Sequence, residues 1–209
     1  MNILPITKST SLDTVVDFLT TAGKGSYFTD VSETSGTIKC MKDSITALEF
    51  QLAPDQYGND VYINNIYSAG NALPENFSTL VKIIQTNYGI CFVCSDSGSQ
   101  EVPYIIVTLD DQDDTIIWVR PADPYSQRDF LKTKYYCFSV SSPVFVEKAA
   151  PYSTETQLMT TTVPIVVEGV ARYTPNLKWV VQRQYIITGA IALGNQQYYS
   201  DGFIAIRDV

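Results

Sequence analysis

Histidine is absent from the 209 residues. That removes the commonest general base near neutral pH, every histidine-containing triad or dyad, and the usual nitrogen ligand of a metal. Basic residues are sparse: 14 Lys and Arg stand against 22 Asp and Glu, giving a formal net charge of −8 and an isoelectric point near 4.4. Phosphate backbones are held by clustered cations, and the cations here are scattered, so nucleic acid is not an expected partner. No run of about 18 apolar residues occurs, so no membrane-spanning helix is expected. The opening MNILPITKSTS has no charged segment leading into an apolar one, and a cleaved signal peptide is not expected. The G-x-S-x-G elbow, the Walker A loop and the dinucleotide-binding G-x-G-x-x-G are all missing. Gly23-Lys24-Gly25 is too short to cradle a phosphate. A two-carboxylate glycosidase needs a facing pair of acids, and sequence alone brings no such pair together. The expectation is therefore no catalytic residue, no cofactor and no metal site.

What is present is the makings of a packed core. Hydrophobic residues make up 45% and charged residues 17%, with a mean hydropathy of +0.00, which fits one large or two small globular domains. Fourteen tyrosines contribute to an aromatic fraction of 12%. Tyrosine is apolar along its ring and polar at its tip, so a surplus suits sheets and protein contact surfaces alike.

The stretch Glu101 to Arg120 organises the reading. Tyr104 to Leu109 and Thr115 to Val119 are β-branched and aromatic runs flanking the acidic tip Asp110 to Asp114, the pattern of a hairpin. Their apolar residues run continuously, so both faces should be covered and both strands should lie centrally in a sheet.

Two amphipathic helices are expected. The first runs from the Ser9-Thr10-Ser11 caps to Gly23, with Leu12, Val15, Val16 and Leu19 spaced i, i+3, i+4, i+7. The second begins at Leu73-Pro74, with Phe77, Leu80, Val81 and Ile84 on the same template. Strands are expected at residues 26–31, 37–41, 47–52, 61–67, 90–94, 135–139, 144–147, 159–168, 178–187, 190–193 and 202–207, separated by Gly, Pro and Asp turns. Pro164 should mark an edge or a bulge. The fold class is thus α+β, mostly antiparallel sheet and sandwich-like with two amphipathic helices. The proline-rich Pro121 to Leu131 divides an N-terminal α+β half, residues 1–121 with the hairpin at 102–119, from a C-terminal β half, residues 122–209. One continuous domain is the alternative.

Three clusters could mimic chemistry. Cys91 and Cys94 imitate a C-x-x-C motif, but on a strand an odd offset of three sends them to opposite faces, so buried thiols are expected. Asp55, Asn59 and Asp60 lack the spacing of a calcium loop. The carboxylates of Asp110 to Asp114 could hold a cation, or raise one another's pKa. A solvated tip that keeps an apolar hairpin soluble is the preferred reading.

The segments Val163 to Arg172, Lys178 to Tyr185 and Tyr198 to Val209, with a terminal strand of the form D-G-Φ-Φ-A-Φ-x-D (Φ apolar), resemble the small virion structural proteins of tailed bacteriophages. The resemblance implies a non-enzymatic subunit of a head, neck or tail, made in the host cytoplasm and carried in the virion. It further implies contact with copies of itself and other virion proteins through β surfaces. On that reading Trp118, Trp179, Tyr185, Tyr198 and Tyr199 are candidate contact residues, with packing inside the chain as the alternative for each. The competing function is a carbohydrate- or receptor-binding β module using exposed aromatics as a platform.

Overall fold

A computed structural model describes residues 1–21, 28–54, 57–58, 60–68, 70–72, 78–95, 101–109, 116–121, 134–139, 142–149, 159–167, 170–181, 188–201 and 204–208. Among these residues there is one helix, α1 (Leu12–Thr20), preceded by strand β1 (Asn2–Pro5). There follow β2 (Asp30–Thr34), β3 (Thr37–Lys42), β4 (Ile45–Pro54), β5 (Val61–Ser68), β6 (Asn71–Ala72), β7 (Ser78–Gln85) and β8 (Gly89–Ser95). Next are β9 (Glu101–Leu109), β10 (Ile116–Pro121), β11 (Lys134–Ser139) and β12 (Ser142–Ala149). A second group comprises β13 (Met159–Val167), β14 (Val170–Val181), β15 (Thr188–Leu193), β16 (Gln196–Asp201) and β17 (Ile204–Arg207).

The first twelve strands form one antiparallel sheet in the order β12-β11-β10-β9-β8-β7-β5-β4-β3-β2, with β1 paired on β7 and β6 on β5. The other five form a second sheet in the order β13-β14-β17-β16-β15. The hairpin expected around the acidic tip is present as β9 and β10, where Ile116 pairs with Leu109 and Val119 with Ile106. Both strands are interior to the large sheet, as their continuous apolar runs indicated. The tip itself, residues 110–115, lies outside the described residues. Pairing carries on across Pro121, because β10 binds β11 from Ile117 opposite Ser139 to Pro121 opposite Tyr135.

Helix α1 forms where the apolar spacing placed it. Ser11 is its N-cap, its Oγ accepting from the Thr14 N–H at 3.2 Å, and Val15 and Leu19 are buried. Thr21 closes the helix through its N–H to the Asp17 carbonyl at 3.1 Å, while the glycine expected to stop it lies in 22–27, outside the described residues.

The second expected helix is corrected by the structure: Ser78–Gln85 is strand β7, and among the described residues no other helix occurs. The physical reason is a bulge. Leu80 pairs with Cys94 and Lys82 with Val93, so Val81 is an extra residue in β7. An extra residue resets the alternation of a strand, and Leu80 and Ile83 both face the core although three apart. Ile84, counted with Leu80 on one helical face, is instead buried outside the cluster that holds Leu80 and Ile83, so apolar residues on both sides of a bulged strand imitated a helical stripe, while Thr79, Val81, Ile83 and Ile84 supplied β-branched side chains that favour extended backbone.

The same device recurs. Ala47 is extra in β4, between the Cys40–Leu48 and Met41–Thr46 pairs, and both Ala47 and Leu48 are buried in the core. In β5 an extra residue lies between the Glu49–Tyr67 and Gln51–Asn64 pairs, with Asn65 at φ +48°, and Ile63 and Ile66 both point inward. Bulges increase local twist, and this sheet curls into a half-barrel. One core cluster therefore gathers side chains from β3, β4, β5, β7, β8 and β9, with Val15 and Leu19 of α1 among them. Within it, Phe50 and Phe92 meet edge to face at 5.4 Å.

In the small sheet, β15 and β16 join through a two-residue turn with Gly194 at φ +63°, and Asp201 ends β16 shortly before β17. Pro164 sits at the register shift between β13 and β14, at the end of this sheet, as its lack of an N–H required. Strand β14 begins at Val170, eight residues before the expected start at Lys178.

Candidate functional site

The residues nominated from sequence fare differently. Tyr198 and Tyr199 are buried in the small sheet, 1% and 6% exposed, so as surface contact residues they are corrected. Strand alternation alone would set neighbouring tyrosines on opposite faces, one of them outward; here the two faces of β16 are both covered. The Tyr198 hydroxyl donates to Gln196 Oε1 at 2.8 Å. Burial raises its pKa, and the positive charge of Arg207 partly offsets the rise. Trp118 has its backbone in β10, opposite Phe138, and Trp179 in β14, opposite Thr161; their side chains and all of Tyr185 lie outside the described residues.

Cys91 and Cys94 are both buried in β8, on opposite faces. Ile90, Phe92 and Cys94 belong to the half-barrel core and Cys91 does not. The extra residues flanking β8 fall in β7 and β9, so β8 itself keeps strict alternation. Among the described residues no three acidic, cysteine or histidine side chains gather as metal ligands.

The structure brings together a constellation that the sequence did not reveal, on the seam between the two sheets. Strands β14, β16 and β17 approach β9, and β17 also approaches β8. At Gly89, which opens β8, an added Cβ would collide with Ile206 Cδ1 and would stand 2.5 Å from the Val107 carbonyl oxygen. Only glycine lets β17 seat here. The turn before it is held by Thr86, whose N–H donates to the Gly89 carbonyl at 2.8 Å and whose Oγ1 accepts from the Gly89 N–H at 3.0 Å. Asn87 N–H donates to Asp208 Oδ1 at 3.3 Å, and the same oxygen lies 3.2 Å from the Met1 nitrogen. The Arg207 guanidinium stands 4.3 Å over the Tyr88 ring. Its Nε is buried without a hydrogen-bond partner, and the ring face gives the half-buried cation a favourable contact.

Among the described residues a few features face outward. Tyr57, 76% exposed in the β4–β5 connection, is an exposed aromatic that sequence reasoning passed over. Strands β2 and β15 end their sheets, each paired with a single described strand, whereas β13 at the other end of the small sheet approaches β11 and β12 of the large one. A half-open cavity of about 240 Å³ lies between the first turn of α1, the segment after β1, the end of β4 and the start of β5. Ile6, Leu12, Val15, Leu52, Ala53, Pro54 and Val61 line it, with Lys8 and Thr10 as its polar members. Among the described residues no helix is long and apolar enough to cross a membrane. Comparison with known protein families, with curated proteins and with solved structures finds nothing that matches this chain.

Proposed function

We propose that the chain is a non-enzymatic structural subunit of a bacteriophage virion, associated with the head, neck or tail and joined to copies of itself and to other virion proteins through its sheet edges. The observation that carries this reading is the terminal strand β15, whose outer edge has no described strand beside it; β2 ends the large sheet in the same way, with helix α1 packed against it. Such an edge is a row of backbone donors and acceptors ready for another chain. Strand β15, Thr188–Leu193, carries no charge and no proline to blunt it. The resemblance of the C-terminal third to phage virion proteins supplies the particle.

A sugar-binding module would need several exposed aromatics on one face. Burial of Tyr198 and Tyr199 removes two of the five aromatic candidates from a virion contact surface and from a sugar platform alike, so the virion reading rests on the sheet edge and not on them. Mass spectrometry of purified particles, beside light scattering of the isolated chain after size exclusion, tests the proposal. The expected result is the chain present in particles and self-associated in solution. A strictly monomeric chain absent from every particle fraction would overturn it.

A further inference from the structure

We propose that the cavity beside α1 is a binding site for a small amphiphilic carboxylate, an aliphatic tail of about eight carbons with one acid group. The inference stands apart from the virion reading and needs neither particle nor partner. Seven of the nine lining residues present apolar surface, and the cavity's 240 Å³ lies below the usual range of drug-sized pockets, which suits a short tail.

The headgroup follows from charge. Lys8 is the charged residue in the lining, it is exposed, and no described carboxylate pairs with it. Thr10, beside it, contributes a hydroxyl that already accepts from the Thr7 N–H at 2.9 Å. The cavity also borders Leu12, the first residue of α1, where the helix dipole is positive. An anion is favoured at that end and a cation disfavoured. Asp13 and Asp60 adjoin lining residues in sequence and are exposed, so their opposition is weakened by solvent. Asp55 lies outside the described residues.

Calorimetric titration of the full chain with octanoate, 1-octanol and octylammonium tests the site. Octanoate should bind in the millimolar range or tighter, about five-fold better than octanol, the scale of an ion pair at a half-solvated rim, and octylammonium should bind worst. Lys8→Gln, on an exposed side chain, should bring octanoate down to octanol while leaving octanol unchanged. Ala53→Leu should fill the cavity and weaken both by ten-fold or more, with circular dichroism confirming the fold. If that variant does not fold, the Lys8→Gln contrast and the ranking of the three ligands still decide. No octanoate binding at 5 mM, equal binding of octylammonium, or an unchanged octanoate affinity in Lys8→Gln would each overturn the proposal. Loss of self-association in Ala53→Leu, with octanoate unbound by the parent chain, would assign the cavity to a second copy instead.

Discussion

Gly89 is the residue on which the joining of the two sheets turns. Its missing side chain leaves room for Ile206 against the Val107 carbonyl, and the second of these neighbours is backbone that cannot rotate away. Gly89→Ala should therefore destabilise the fold by about 1–3 kcal/mol, the usual cost of overpacking, measured by urea denaturation. Adding Ile206→Ala should not restore the parent value, because the carbonyl contact persists. Cys40 shows a different residue-scale effect. It is fully buried, and burial pushes its thiol far above the ordinary value of 9.0. The folded chain then keeps that proton to higher pH than the unfolded chain, so unfolding free energy should be level up to about pH 8 and fall as pH rises past 9. Tyr198, raised in the same direction, extends the fall at higher pH. Urea midpoints at pH 7, 8 and 10 check this, and Cys40→Ala should flatten part of the decline. Neither residue could be singled out in advance: a glycine at a strand start and a cysteine in a strand are ordinary until the second sheet and the curl surround them.

At the level of elements, the helix with a cap was legible and the bulged strand was not. Ser11 followed by an i, i+3, i+4, i+7 set makes a local signal, complete within a dozen residues. Ser11→Ala should cost about 1 kcal/mol, read from thermal or urea unfolding. The β7 sequence holds the same spacing, yet its Leu80 and Ile83 share a face because Val81 bulges against β8. A bulge is a relation between two strands, so one strand's sequence cannot announce it. Asn65 offers a test of how firmly such an element is set. It occupies the left-handed region at φ +48°, and its Nδ2 donates to Gln51 Oε1 at 2.6 Å. Asn65→Val should destabilise by about 1–2 kcal/mol, since a β-branched residue is strained there, while Asn65→Gly should stay within about 0.5 kcal/mol of the parent. Equal losses in the two variants would show that the hydrogen bond, and not the backbone conformation, carries the effect.

For the molecule as a whole, the seam decides whether the two sheets unfold together. The Arg207 cation over the Tyr88 ring is a contact between the segment following β7 and strand β17. A double-mutant cycle of Tyr88→Ala and Arg207→Ala should give a coupling of about 0.5–1 kcal/mol in global stability, with one cooperative transition retained in the parent chain. Two separate transitions would mean that the sheets are held independently. The sequence by itself determined the class: β-branched and aromatic runs broken by Gly and Asp turns dictate antiparallel strands, continuous apolar runs place the β9–β10 hairpin centrally, and one capped amphipathic segment dictates a helix. These signals are local, each carried by neighbours a few residues apart. The tertiary structure alone decided which residues line the half-barrel, that both faces of β16 are covered over Tyr198 and Tyr199, and that Asn87, Tyr88 and Gly89 meet Asp208, Arg207 and Ile206 across the seam. Those outcomes depend on bulge positions and on contacts such as Asn87 with Asp208, 121 positions apart, and no periodicity of two or 3.6 residues encodes a partner at that distance.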